Sequence, residues 1–260
     1  MKWVLVTGAT GTIGSAICKI LSKKNYGIIL GGRNKDKLNR LQKTLETQFQ
    51  KPYLIFLADL RSKESIQNAI ENLFSQNKIS LYGLINNASE TPRKKIITEE
   101  GLECQFAVNI LGYHRMIAYL RKYFQPFSRI VNVASYWAGD LDLRDLQFEK
   151  RSYNNNTAYR QSKQAERMLT VAWAEILKSE QIYVNACHPG DANSKLSNDL
   201  GFGGFESPEE AADTPTYLIY SKDIEAVTGK YFERRKIVPD PFAKNKEEIQ
   251  KLFSICNQYL

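Results

Sequence analysis

Trp3-Val4-Leu5-Val6-Thr7-Gly8-Ala9-Thr10-Gly11-Thr12-Ile13-Gly14 opens as an apolar run of strand length, breaks into glycines and continues into a helical pattern from about Ile13 to Lys24. Glycines let a backbone turn sharply and come close to a pyrophosphate, and the helix that follows offers free N–H groups and the positive end of its dipole. The turn has the context a phosphate cradle requires, a strand before it and a helix after. Gly8, Thr10, Gly11, Thr12, Ile13 and Gly14 are therefore candidate phosphate-binding residues.

Outward from that turn, strand-like and helix-like stretches alternate. Gly27–Gly31, Tyr53–Leu57, Leu81–Ile85, Arg129–Val133 and Ile182–Ala186 read as strands. Between them, Lys35–Gln50 carries Leu38, Leu41 and Leu45 at helical spacing, and Ile66, Ala69, Ile70 and Leu73 mark another amphipathic helix. Glu99–Phe124 reads as one long helix and Ala158–Lys178 as another. Alternation of this kind predicts an α/β fold: a doubly wound parallel sheet of Rossmann type, in three layers, with ligands at the carboxyl ends of the strands. Residues 1–260 read as one domain, with a substrate-loop and helix region at about 190–225. The polar stretch from Ala138 to Asn156 is expected to form a loop over the site, and Pro239–Leu260 an irregular turn and final helix.

Composition narrows the function classes. The chain has 260 residues, 43% hydrophobic and 25% charged, as in ordinary globular proteins. No apolar run approaches the ~18 residues of a membrane helix, and no secretion signal is visible, so a soluble cytoplasmic protein without a membrane anchor is expected. Cys18, Cys104, Cys187 and Cys256 are scattered, which favours buried thiols over a disulfide framework, and with only His114 and His188 a metal site is not expected. The net charge is +8, but Arg93-Lys94-Lys95 and Arg234-Arg235-Lys236 are short and lack motif support, so nucleic acid is not an expected partner. The same excess steers anionic cofactors toward the protein.

Cofactor choice is read at the end of the second strand, Gly31-Gly32-Arg33-Asn34. A carboxylate there would bond a ribose 2′-hydroxyl, whereas an Arg suits a 2′-phosphate, which a guanidinium grips with two parallel hydrogen bonds. Arg33, with Lys35 and Lys37 nearby and no carboxylate in the turn, favours NADP(H) over NAD(H).

The chemistry lies further along, in Tyr159-Arg160-Gln161-Ser162-Lys163. Tyr and Lys four apart on a helix share a face. A cation at about 4 Å, in an effective dielectric of about 20, favours phenolate by roughly 4 kcal/mol, or about three pKa units. Lys163 alone would thus bring Tyr159 from ~10 toward neutral pH, where acid/base catalysis is most effective.

Taken in order, these residues resemble the short-chain dehydrogenase/reductase family, single-domain type, over positions 1 to about 235: the glycine turn, Asp59-Leu60, Asn86-Asn87-Ala88, Asn109, Ser135, Tyr159, Lys163 and Pro189-Gly190. Thr228-Gly229-Lys230-Tyr231-Phe232 and the long loop before Tyr159 resemble the retinol dehydrogenase and WW-domain oxidoreductase branch. The resemblance implies that Tyr159 is the general acid and base, that Lys163 lowers its pKa and bonds the nicotinamide ribose, that Ser135 holds the carbonyl oxygen, and that Asn109 positions a water linking Lys163 to solvent. It implies further that Asp59 and Leu60 hold the adenine, Asn87 and Ala88 line the adenosine ribose, Pro189 and Gly190 shape the nicotinamide pocket, and Ser194 bonds the carboxamide. Thr12 stands where the family carries glycine, Ser89 replaces another glycine, Ser194 replaces a threonine, and a carboxylate at Asp191 is unexpected.

The implied activity is hydride transfer between NADP(H) and a carbonyl or alcohol. Tyr136, Trp137, Leu196, Leu200, Phe202 and Phe205 lean the pocket toward small-to-medium apolar ketones, aldehydes or secondary alcohols. A homodimer or homotetramer is expected. A catalytically silent NADP(H)-binding regulator, and a sugar-nucleotide epimerase or dehydratase suggested by the spacing of glycines 8, 11 and 14, remain as alternatives.

Overall fold

The structure, a computed structural model, describes residues 1–260. Its strands are β1 (Trp3–Val6), β2 (Gly27–Gly32), β3 (Tyr53–Leu57), β4 (Leu81–Asn86), β5 (Phe124–Val133), β6 (Tyr183–Cys187), β7 (Tyr231–Glu233) and β8 (Lys236–Val238). They form one sheet in the order β3-β2-β1-β4-β5-β6-β7-β8. Every pairing is parallel until the last, where β8 turns back antiparallel on β7. The doubly wound sheet expected from the alternating pattern is thus present.

Helices α1 (Thr12–Lys23), α2 (Lys35–Phe49), α3 (Lys63–Gln76), α4 (Tyr113–Leu120), α5 (Asn155–Leu177), α6 (Lys195–Asp199), α7 (Pro208–Ala211), α8 (Asp213–Tyr220) and α9 (Lys246–Asn257) cover the sheet on both sides. None is long and apolar enough to cross a membrane. The period-two alternation of strands divides the core. Leu5, Ile29, Leu84, Ile130 and Val184 face the layer of α3, α4, α5 and α9. Val4, Val6, Ile28, Leu30, Ile85 and Val131 face that of α1, α2 and α8. Nearly continuous burial along β1, β2, β4 and the second half of β5 is what strands covered on both faces require. The four cysteines are buried and free.

Three expectations need correction. Glu99–Phe124 is not one helix. At its start, Gly101 takes φ +75° and Ile97 bridges Glu103, whose carboxylate accepts the N–H groups of Gln105 and Phe106 (2.9 and 2.8 Å) and so caps the helical stretch that follows. Phe106–Gly112 is then a π-helix, α4 follows, and after a short turn at Arg121–Tyr123 the chain is already strand at Phe124. Second, the stretch from 138 to 156 does not cover the cleft. Leu146 and Phe148 are buried, and the carboxylate of Asp145 accepts from the backbone of Glu149, Lys150 and Arg151. These contacts anchor the segment beside α5, where the amide of Gln161 bonds the Leu146 carbonyl at 2.8 Å. Third, β7 and β8 carried too little periodicity to be read, and the helix region expected at about 190–225 is divided into the short helices α6–α8. One long-range tie holds α8 in place: buried Arg129 on β5 donates to the carbonyls of Ile219 and Ser221 (3.1 and 2.6 Å), closing the helix's carboxyl end.

Candidate active site

A cleft of about 780 Å³ runs along the carboxyl ends of the parallel strands. Its phosphate end is made of backbone. Gly8 takes φ +64°, and a Cβ there would meet the Ala88 Cα at 2.9 Å. A Cβ on Gly14 would lie 2.1 Å from the Gly8 carbonyl oxygen, so the first turn of α1 can sit against the loop only as glycine. Gly11 caps α1 without any side-chain bond, and Thr12, Ile13 and Gly14 line the cleft. Such an uncapped first turn is an anion site. Thr12 simply begins the helix, accepting the Ser15 hydroxyl at its carbonyl. A residue missed in the sequence, Thr7, binds this end together: its buried hydroxyl accepts the N–H groups of Asn87 and Ala88 (2.9 and 3.1 Å), and the Asn87 amide returns a bond to the Thr7 carbonyl at 3.0 Å.

At the mouth of the cleft, Arg33 forms an ion pair with Glu90 at 2.5 Å. Asp59 is gripped by Arg61, whose Nε lies 3.0 Å from each carboxylate oxygen. Partial burial pushes the Asp59 carboxyl up, but the bonds from Arg61 outweigh it and hold the group below the usual carboxylate range. A smaller hollow of about 340 Å³ adjoins, flanked by Arg33, Asn34, Asp59, Arg61 and Ser65.

At the catalytic end, α5 places Tyr159 and Lys163 on the cleft wall opposite Ser135, which follows β5. The Ser135 hydroxyl accepts the Trp137 N–H at 3.0 Å. The Lys163 ammonium lies 5.4 Å from the centre of the Tyr159 ring. It donates to the Val133 carbonyl at 3.0 Å and to both oxygens of Glu166, at 2.9 and 3.0 Å. Tyr159 is raised above its ordinary value, first by burial and further by Glu166, Asp191 and Tyr136, while the bond with Ser135 pulls the other way. The expected depression by Lys163 is not what the structure shows: burial of the phenol is the largest cause of the rise, and Glu166 beside the ammonium adds to it. Glu166 was absent from the sequence reading; its one signal was a carboxylate three residues after Lys163 on a helix face of small and apolar residues.

Of the candidate residues, Gly8, Thr10, Gly11, Thr12, Ile13, Gly14, Arg33, Asp59, Leu60, Asn87, Ala88, Ser135, Tyr159, Lys163, Pro189, Gly190 and Ser194 all line this one cleft. Asn109 does not. It is fully buried in the π-helical turn, accepting the Glu90 N–H at 2.9 Å and donating to the Glu90 carbonyl and the Ser162 hydroxyl at 3.0 and 3.2 Å. Ser194 caps α6, its hydroxyl accepting the Ser197 N–H at 3.1 Å. Asp191 gains an account: it accepts the Tyr136 hydroxyl at 3.1 Å and faces His188 at 3.8 Å. Trp137 stands 6.1 Å from the Tyr159 ring and 6.0 Å from Phe202, forming an aromatic wall with Leu196 nearby. Leu200 is buried elsewhere and Phe205 is exposed, so neither lines the cleft.

Residues 2–201 match the family model described as short chain dehydrogenase. The chain belongs to that family. Within it, the chain falls in the retinol dehydrogenase branch. It is 31% identical to retinol dehydrogenase 13 of Mus musculus, over 97% of this chain and 82% of the relative. It is 29% identical to polyprenol dehydrogenase of Homo sapiens, over 89% of this chain and 76% of the relative. Among solved structures, a protein from Mycobacterium paratuberculosis superposes with a TM-score of 0.82 at 22% identity, covering 99% of this chain and 92% of that one. A Burkholderia cenocepacia short chain dehydrogenase in complex with NADP gives 0.72 at 18% identity, covering 89% and 95%. As a short-chain dehydrogenase the protein is an oxidoreductase with a nicotinamide cofactor. The glycine cradle and the uncapped turn of α1 fit the pyrophosphate of such a group.

Proposed function

We propose that the protein is an NADP(H)-dependent oxidoreductase acting on small-to-medium apolar ketones, aldehydes or the corresponding alcohols. The observation that carries this reading is that Ser135, Tyr159 and Lys163 share one cleft with the glycine-cradled start of α1. Arg33 and Arg61 flanking the hollow beside Asp59 support the choice of a dinucleotide with a 2′-phosphate. Relatives named retinol and polyprenol dehydrogenases, together with the wall of Trp137, Leu196 and Phe202, support an apolar substrate.

A bound nicotinamide would supply hydride to the carbonyl carbon, or accept it from the alcohol. The chain's own residues do the rest. The Ser135 hydroxyl donates a hydrogen bond to the substrate oxygen and shares the charge that develops there. The Tyr159 phenol gives that oxygen its proton, or takes it back in the reverse direction. Lys163 stabilises the tyrosinate that results. Trp137 and Phe202 keep water from the reacting carbon.

The test is turnover of a carbonyl and alcohol panel, retinal included, with NADPH and NADH compared. Tyr159→Phe is expected to cut turnover by about 10²–10⁴-fold with cofactor binding retained. Wild-type turnover by that variant would overturn the mechanism, and faster turnover with NADH would overturn the cofactor choice.

A further inference from the structure

Glu166 has no exposed side-chain surface and no role in the reaction drawn so far. Burying a carboxylate is expensive unless it is paired, and its partner here is Lys163. Both of its oxygens lie on the ammonium, at 2.9 and 3.0 Å. The other titratable groups facing it are Tyr159 on its own helix, Tyr113 from α4 and Cys187 from the end of β6. Burial raises all three, which leaves Lys163 as the one charge that Glu166 meets.

We propose that Glu166 is a positioning residue that acts through Lys163: its carboxylate opposes the ammonium charge that favours tyrosinate at position 159, and so sets the pH at which Tyr159 releases its proton. Burial pushes the Glu166 carboxyl up to about 8 while Lys163 pulls it down, so the carboxylate is ionised in the alkaline range where a buried phenol titrates. There the Lys163–Glu166 pair is neutral. Tyr159 consequently stays a phenol further into that alkaline range, the form that donates a proton to a carbonyl. The same pair fixes the ammonium against the Val133 carbonyl, at 3.0 Å. The consequence for catalysis rests on the oxidoreductase reading; the electrostatic coupling does not.

The experiment is a spectrophotometric tyrosinate titration, each protein read against its own Tyr159→Phe counterpart to isolate one phenol. Glu166→Gln keeps the shape and removes the charge, and Glu166→Met does the same without a polar group. Both are expected to lower the Tyr159 midpoint by about one to two pH units, whereas Glu166→Asp stays near wild type. In alcohol oxidation, the rising limb of the pH profile of kcat/KM moves by the same amount, a gain of about tenfold per unit on the alkaline side of about pH 8, where the wild-type carboxylate is ionised. An unchanged or raised midpoint in the folded, uncharged variants overturns the proposal. Absence of any turnover by the wild-type protein would instead overturn the proposed function, and the titration would still read the coupling.

Discussion

The two ends of the cleft are built differently. The phosphate end is local and made of main chain: β1, the glycine turn and α1 are consecutive, and Gly14 packs against Gly8 with no room for a Cβ. The helix that carries the catalytic end, α5, is held by polar partners that lie far along the chain. Arg167, one turn beyond Lys163 on α5, pairs with Asp240 at 2.8 Å and stacks on the Tyr231 ring at 3.7 Å. His114 on α4 takes the Trp173 indole N–H at 3.1 Å and meets Asn257 of α9 at 2.9 Å. Binding geometry can thus be written into a dozen consecutive residues, whereas holding an acid/base helix in place recruits the C-terminal tail.

The sharpest challenge to this contrast is Arg167→Met. It leaves the half-buried Asp240 with only the Phe242 N–H and is expected to cost about 2–3 kcal/mol, measured by denaturant unfolding. NADPH affinity of the folded protein should hardly change, because the phosphate end does not depend on the tail. A stability loss under about 1 kcal/mol would show that the tail is not needed to hold α5.

Gly14→Ala probes the other end. Its methyl must displace the Gly8 carbonyl, at an expected cost of about 1–3 kcal/mol. Thermal melts with and without NADPH should show the stabilisation by cofactor falling as well. If the cofactor shift survives intact, the cradle is softer than the contact implies.

The most gradual effect is one of pH. Burial lowers His114 to about 4, with its bond to the Asn257 amide oxygen opposing it. A neutral His114 in the fold and an unfolded value near ~6.5 mean that the unfolded chain binds more protons between those pH values. Stability then falls as pH drops from about 6.5 toward 4, by at most ~1.4 kcal/mol per unit. Urea melts of His114→Gln should lose that slope.

What could be read in the sequence follows the same division. The glycine turn, β2, β3, α2 and α3 were legible because strand alternation, helical spacing and turn glycines are local signals. Every cleft residue assigned by family order except Asn109 does line the cleft. Illegible were partners that depend on burial and distance. Glu166 drew no reading, because its burial against Lys163 depends on how α5 packs. Asp191 had no visible mate until Tyr136, 55 positions earlier, came within 3.1 Å. The break before Phe124 was hidden because Leu120, Tyr123 and Phe124 carry helical spacing across it, and only the short turn at Arg121–Tyr123 shows where the helix ends. The loop before Tyr159 was misplaced for the same reason: its polar composition gave no hint of the buried anchors Leu146 and Phe148.

β8 has a consequence of its own. It reverses direction beside β7, runs for three residues and presents Lys236 at its start. A chain seeking to extend the sheet would meet too short a ladder to hold it, beside a charge that prefers water. The outermost strand is a terminus in the mechanical sense: it finishes the last pairing and offers no template for self-association along that border.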